Sequence, residues 1–546
     1  MKHKITWLLL MTLMVFPLLH AGADEPLDLS KLYKAKDVEA AWDESAVHTI
    51  DLNTAHGDAV TIAEQGDYLL RGSLQGQVVV DAPKDAKVRL ILDGVTITSA
   101  QGPAIYEKQA DKLMITLAEK SANSLTDGPA LTEGEDTINA VLYAEDDLSI
   151  NGTGTLQVNG TQKHGIQSKA DVILAGGIIT VTAVQDGIRG RNSLLMLNGD
   201  INITCGGDGM AVTRTDDAEK GWVILADGKL TVKTGSGAGE AKTLSGGKGG
   251  FGRGGSGRGW QTQESPADDT PSQKGVKAAT TLTVLGGQYS FDCADDGFHG
   301  TTVTLQGGTM AIQTGDDAVH ADKDLTVQDG VIVIPQCYEG LEGENVTVSG
   351  GDITIVSSDD ALNAAGGNDG SGFGGRGGWA EADNGGTIAI SGGNIAIHAG
   401  GDGLDSNGSI VLSGGKVCIW AASSTGEGAI DFNGTGTLSG TALMILSTGG
   451  VMRDAAALTG QSMMAISAAG KAGLPTVLTA EDGTELAAFT PAMDYDTVMI
   501  SAPQLTEGTV FAITGGNEQL FAGAMSSNTS DFGGSGFGRQ RNRKGK

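Results

Sequence analysis

This sequence predicts an all-β fold, a right-handed parallel β-helix built from repeats of 21 to 22 residues, and three observations predict it. Glycine turns recur at a fixed spacing: Gly287 to Gly308 is 21 residues, Gly308 to Gly330 is 22, Gly330 to Gly351 is 21 and Gly393 to Gly415 is 22. Apolar alternation of period 2 flanks each turn, as in Val303 and Leu305 before Gly308 and Met310 and Ile312 after it. That is the pattern of a half-buried strand. An acidic residue then follows nine positions after each turn: Asp186, Asp208, Asp296, Asp317, Glu339, Asp360 and Asp402. A fixed period of this length marks a solenoid, whereas a propeller blade needs about 40 residues.

The elements follow in order. Residues 1–23 have a basic start (Lys2, Lys4), an apolar run and Ala21-Gly22-Ala23. This reads as a signal peptide cleaved after Ala23, which places the mature protein in the periplasm or outside the cell. No later segment is long and apolar enough for a membrane-spanning helix. Residues 24–50 are expected to cap the open end of the solenoid, with a short helix over 30–44, because stacked repeats need covered ends. Residues 51–440 form the β-helix, less regular at first (Val78 to Val80, Val88 to Ile97) and regular from Gly177 on. Gly-rich inserts at 235–273 and 366–386 carry Trp260 and Trp379. Residues 441–522 read as a small β subdomain and 523–546 as a disordered basic tail, since such compositions bury too little apolar surface to fold.

The formal net charge is −30. It excludes nucleic acid as the expected partner, because phosphate contacts need clustered Lys and Arg. The chain is expected to be a monomer. Cys205, Cys293 and Cys337 fall on inward strand positions two repeats apart, or about 9.6 Å at the usual strand spacing, too far for disulfides. Cys418 lies between inward Val417 and Ile419 and is expected to face outward. No disulfide is predicted.

The acidic row carries the chemistry. Once the second insert is looped out, Asp296, Asp317, Glu339, Asp360 and Asp402 fall on consecutive repeats. Neighbours about 4.8 Å apart repel by about 3 kcal/mol per pair in an environment of intermediate dielectric. A divalent cation relieves this, and hard oxygen donors suit Ca²⁺. Asp295, Asp316 and Asp359 sit one residue earlier, and Asp322, Asp405 and Asp431 add carboxylates nearby. The metal ligands expected are therefore Asp186, Asp208, Asp295, Asp296, Asp316, Asp317, Asp322, Glu339, Asp359, Asp360, Asp402 and Asp405. A Gly or Ala after each acid leaves the backbone open to a ligand. His299, His320 and Asn363, three residues after their acids, are expected along the edge of a carbohydrate groove, with Trp260 and Trp379 stacking on sugars.

The run ADDGFHG, GGTMAIQTGDDAVHADKDLTV, GGDITIVSSDDALNA and GGNIAIHAGGDGLDSNGSIVLSGG resembles a family of secreted bacterial carbohydrate-binding β-helix proteins, as do AWDESAVHTIDL and VVVDAPKDAKVRLILDGVTIT. The resemblance implies Ca²⁺ held by Asp side chains, a polysaccharide partner such as polygalacturonate or a cellulose-like chain, and a fold similar to calcium-dependent pectate lyases. The Gly/Arg/Trp inserts and basic tail depart from the family pattern.

Three readings stay open. The first is a calcium-dependent binding protein that bridges uronate carboxylates through the metal. The second is a polysaccharide lyase, which needs a base beside the metal; Lys323, His299, His320 and Arg189 are the candidates. The third is a structural or adhesion protein whose Ca²⁺ only stiffens the stack.

Overall fold

Strands account for nearly all regular structure in the computed structural model, which describes residues 27–55, 58–133, 136–239, 272–364, 385–421, 428–448 and 455–526. Residues 1–23, Trp260, Trp379, most of both inserts and the tail from 527 lie outside this range.

Each strand pairs in parallel with its equivalent one repeat later. The pairings form three ladders. One joins the strands that begin just after the acidic positions, such as Phe298 with Val319, Val319 with Leu341 and Leu341 with Leu362. A second joins Leu282 to Val303, Val303 to Leu325 and Leu325 to Val346. The third joins Tyr289 to Met310, Met310 to Ile332 and Ile332 to Ile353. The turn glycines keep these ladders in phase. Gly308 has φ 96°, and a Cβ there would stand 3.0 Å from the carbonyl oxygen of Gly287 in the repeat below. That position combines a left-handed backbone with a close approach that only glycine meets.

Period-2 alternation places one side chain in two inside. In Thr309–Thr314, Met310, Ile312 and Thr314 are buried and the residues between them are exposed. The inward side chains form one continuous core from Leu52 to Met499. Tyr289, Phe291 and Phe298 meet edge to face within it, with Phe291 and Phe298 centroids 4.8 Å apart. All four cysteines are free and buried. Cys418 does face away from this core, but Trp420, Met444 and Leu446 join it in a second cluster beneath the C-terminal strands.

Two boundaries differ from expectation. Residues 27–47 do not cover an end: they lie along the flank of the stack. Leu29, Leu32 and Tyr33 pack on Ile173, Leu195 and Ile224 of successive repeats, and Trp42 and Val47 pack on Leu69 and Ile91. Polar ties fix the segment: the Lys112 ammonium is 2.7 Å from buried Asp37, and Arg89 donates to the carbonyl of Ala41 at 2.8 Å. Its helix is one turn, Ala35–Val38. At the other end, Ala442–Ser447 still belongs to the parallel stack, so the C-terminal unit starts one strand later than 441. Tyr495–Ser501 then pairs antiparallel with it and ends the stack. A separate four-stranded antiparallel sheet takes two strands from before Tyr495 and two from after Ser501, and its last strand, Glu518–Ala524, runs into what reads as tail.

Candidate carboxylate and histidine site

Each of the seven acids stands two residues ahead of a short strand of the first ladder. Lys274 takes that place ahead of Val276–Lys277, so the row runs Asp186, Asp208, Lys274, Asp296, Asp317, Glu339, Asp360, Asp402. The repeat at Lys274-Gly275-Val276 is readable in the sequence after the Gly-rich insert, but its lysine breaks the acidic pattern.

One oxygen of each carboxylate except Glu339 serves the stack. The backbone N–H of Asp208 donates to Asp186 at 3.1 Å, that of Lys274 to Asp208 at 2.9 Å, that of Asp317 to Asp296 at 3.3 Å, that of Glu339 to Asp317 at 3.3 Å and that of Asp402 to Asp360 at 2.6 Å. Gly428 does the same for Asp402. The acids therefore satisfy backbone donors that would otherwise be orphaned between repeats. The small residue after each acid also serves this contact: a Cβ on Gly297 would lie 2.5 Å from the Ala318 carbonyl.

Burial corrects the expectation of an open, acid-lined groove. Asp296 and Asp317 are 2% and 1% exposed, and Asp186, Asp208, Glu339 and Asp402 are also buried. Of the row, only Asp360 is partly accessible; the flanking Asp295, Asp316, Asp359, Asp405 and Asp431 are partly accessible too.

The second oxygens face a row three residues further on, whose Cα atoms are in register: Arg189, Ala211, Lys277, His299, His320, Glu342, Asn363, Asp405, Asp431. This row grades from basic to acidic along the stack. At its basic end the acids are compensated. Arg189 donates to Asp186 at 2.8 Å, and His164 Nδ1 lies 3.3 Å from it. Burial opposes ionisation of Asp186, but these partners outweigh it and hold the carboxyl at about 2. Buried Lys274 places its ammonium 2.5 Å from Asp296 and 3.0 Å from Asp295. Together with His299, it keeps Asp296 below the usual carboxylate range against its burial.

In the middle, His320 Nδ1 lies 3.1 Å from Asp317 and 2.6 Å from Glu342. Burial would lower its pKa, but hydrogen bonds to the two carboxylates raise it to about 11. The rings of His299 and His320 stack with centroids 4.9 Å apart. His320 is 1% exposed and Asn363 donates to Glu339 at 2.7 Å, so neither offers itself to a sugar as expected. His299 is better placed. With Arg189, Lys277 and Asp322 it lines a cavity of about 500 Å³.

At the acidic end like charges crowd together. Burial, then the charges of Asp405, Asp359, Asp402 and Glu339, push Asp360 well above the usual range, and burial with Glu342 pushes Glu339 up to about 8. Donor oxygens of Asp402, Asp405 and Asp431 lie within 4.8 Å of one another, as do those of Asp295, Asp296 and Asp316.

The chain is a member of the carbohydrate-binding domain-containing protein family, whose model matches residues 56–318, 300–376 and 316–483. A carbohydrate-binding domain-containing protein of Acetivibrio thermocellus is 40% identical over 129 residues, which is 23% of this chain and 45% of that relative's length. A solved polysaccharide lyase-like protein from C. thermocellum, a gadolinium derivative, superposes with TM-score 0.38 at 24% identity over 52% of this chain and 96% of its own. No described helix is long and apolar enough to cross a membrane.

Proposed function

We propose that this chain is a secreted or periplasmic, monomeric right-handed parallel β-helix that binds polysaccharide with the help of Ca²⁺. The polysaccharide is an acidic, polygalacturonate-like chain or a cellulose-like one. The supporting observation is the oxygen-only cluster of Asp402, Asp405 and Asp431, next to an Asp360 carboxyl crowded by other charges. Hard cations that take six to eight oxygen donors fit such a set, with water or uronate oxygens completing the shell. A bound ion attracts a polyanion that the bare acids would repel. Calcium ligands are accordingly proposed at the acidic end of the row, where Asp405 and Asp431 are partly accessible, in place of Asp186, Asp208, Asp296 and Asp317.

The lyase alternative needs a free base beside the metal. Arg189 is paired with Asp186, His320 is buried, His299 lies 2.9 Å from Asp296, and Lys323 is exposed on the outer surface.

Calorimetric titration with polygalacturonate and with soluble cellulose fragments, in Ca²⁺ and in chelator, tests the reading. Binding in Ca²⁺ that disappears in chelator supports it. Binding that persists in chelator rules out calcium bridging. Release of unsaturated uronide, seen as ultraviolet absorbance, would establish a lyase instead.

A further inference from the structure

The geometry points to a carboxylate subsite that needs no metal: we propose that the cavity over Ala211 takes the free carboxylate of one uronate unit between Arg189 and Lys277. The identity of the ligand rests on the polysaccharide reading above; the site itself lies at the other end of the row from Asp431. The three residues are in register on successive repeats, Arg189 beside Ala211 and Ala211 beside Lys277. Two strand spacings, about 9.6 Å, therefore separate the Cα atoms of the two cations. The small alanine side chain leaves a gap between them, and all three residues line the cavity of about 500 Å³.

Two features mark this gap as a place for an anion. First, Lys277 is a cation without an acidic partner. The other cations beside the acidic row are paired: Arg189 with Asp186, Lys274 with Asp295 and Asp296, His299 with Asp296, and His320 with Asp317 and Glu342. Lys277 forms no ion pair with a described carboxylate, and its ammonium donates to the Ser272 hydroxyl at 3.3 Å. In a chain of net charge −30, that is a departure from the pattern. Second, the acids at the cavity wall are already engaged. Asp186 accepts from Arg189 Nη1 at 2.8 Å and from the Asp208 N–H at 3.1 Å. Asp208 accepts from the Ser272 hydroxyl at 2.7 Å and from the Lys274 N–H at 2.9 Å. A guanidinium carries five N–H donors, so Arg189 keeps donors for a second, bidentate partner. A carboxylate over Ala211 meets those donors on one side and the Lys277 ammonium on the other. Thr213, Thr215 and Asp322 line the same cavity and offer partners to the sugar hydroxyls. A methyl ester carries no charge for either cation, so the subsite separates free uronate from its ester. Exposed ion pairs are weak singly. The subsite alone therefore holds a short acidic sugar at about 1 mM, and it strengthens polymer binding only beside the calcium sites.

Ligand-observed NMR on the full chain in chelator, with trigalacturonate and its methyl ester as probes, tests the subsite. Trigalacturonate should bind at about 1 mM, and the ester at least about fivefold more weakly. Lys277→Gln should weaken trigalacturonate about fivefold, whereas Lys277→Arg, which keeps the charge, should retain it. Equal binding of acid and ester, no binding of either, or binding that Lys277→Gln leaves unchanged overturns the assignment. Galacturonate monomer that binds as tightly as the trimer would put a free sugar acid in the cavity and overturn its role in holding a chain. Calcium-dependent binding of polygalacturonate, followed in parallel, separates the two readings. Its absence with the trimer still bound in chelator sinks the calcium reading alone, and its presence with the trimer unbound sinks the subsite alone.

Discussion

Lys274 shows what one residue does in this stack. Its buried ammonium compensates Asp295 and Asp296 together. Removing one member of a buried ion pair strands the other, at about 3–5 kcal/mol. Lys274→Ala should therefore lose stability of that size in urea unfolding, while Lys277→Ala, three residues on and half-exposed, should lose well under 1 kcal/mol. Glu107 makes a separate point. It is fully buried, with one oxygen accepting from the Asp146 N–H at 3.0 Å and the other unpartnered. Burial pushes its carboxyl up to about 7 against the Asp146 and Glu145 N–H groups. The folded chain thus holds a proton that the unfolded chain releases near 4.5. Stability should be full below pH 4.5 at this site and fall as pH rises to about 7, by about 3 kcal/mol at most. Glu107→Gln, which mimics the protonated acid, should flatten that part of the pH profile; an unchanged slope would show that Glu107 is ionised at ordinary cost.

At the scale of the element, the acidic row is one device with two energetic regimes. Six of its seven carboxylates accept a backbone N–H from the next repeat, whereas Glu339 accepts from the Asn363 side chain; Asp186, Asp296 and Asp317 face cationic partners, and Asp360 is crowded by like charges. Asn keeps the accepting oxygen and removes the charge. Asp186→Asn should therefore destabilise by about 1–2 kcal/mol, because it gives up charge-assisted bonds to Arg189 and His164. Asp360→Asn should do the reverse in chelator and raise the melting temperature, since it relieves crowding by Asp359, Asp402 and Asp405. Equal destabilisation in both would mean that the row is purely structural. The strands, their register and the row itself were legible in the sequence, because the Gly-turn period and the period-2 alternation are imposed by stacking at every repeat. The N–H contacts were not legible, since they join residues 21 to 66 positions apart through one oxygen each. The repeat at Lys274-Gly275-Val276 was legible, but not the pairing of the Lys274 ammonium with Asp295 and Asp296. The burial of His320 and Asn363 was missed because the start of Val319–Val327 and the whole of Leu362–Ala364 bury successive residues instead of alternating.

For the whole molecule, the parallel stack converts sequence order into position along one edge, so that Arg189, Lys277 and His299 lie at one end and Asn363, Asp405 and Asp431 at the other. A polyanionic chain laid along that edge would meet cations directly at the first end and only through bound Ca²⁺ at the second. The two ends should then separate experimentally. Exposed charge contacts are worth up to about 1 kcal/mol each, so Arg189→Gln combined with Lys277→Gln should weaken polygalacturonate binding about tenfold. The loss should be greatest at low ionic strength, because contacts of this kind are screened over about 10 Å at 0.1 M salt. Asp405→Asn combined with Asp431→Asn should leave that salt-sensitive part and remove the calcium-dependent part. Calorimetric titrations at two salt concentrations, with and without chelator, resolve the four cases. A neutral cellulose-like ligand should respond to neither salt nor the basic pair, and its binding would then owe nothing to the charge gradient. If the basic pair and the acidic pair instead reduce binding to the same extent under all conditions, the polysaccharide does not lie along this edge, and the gradient serves only to hold the stack together.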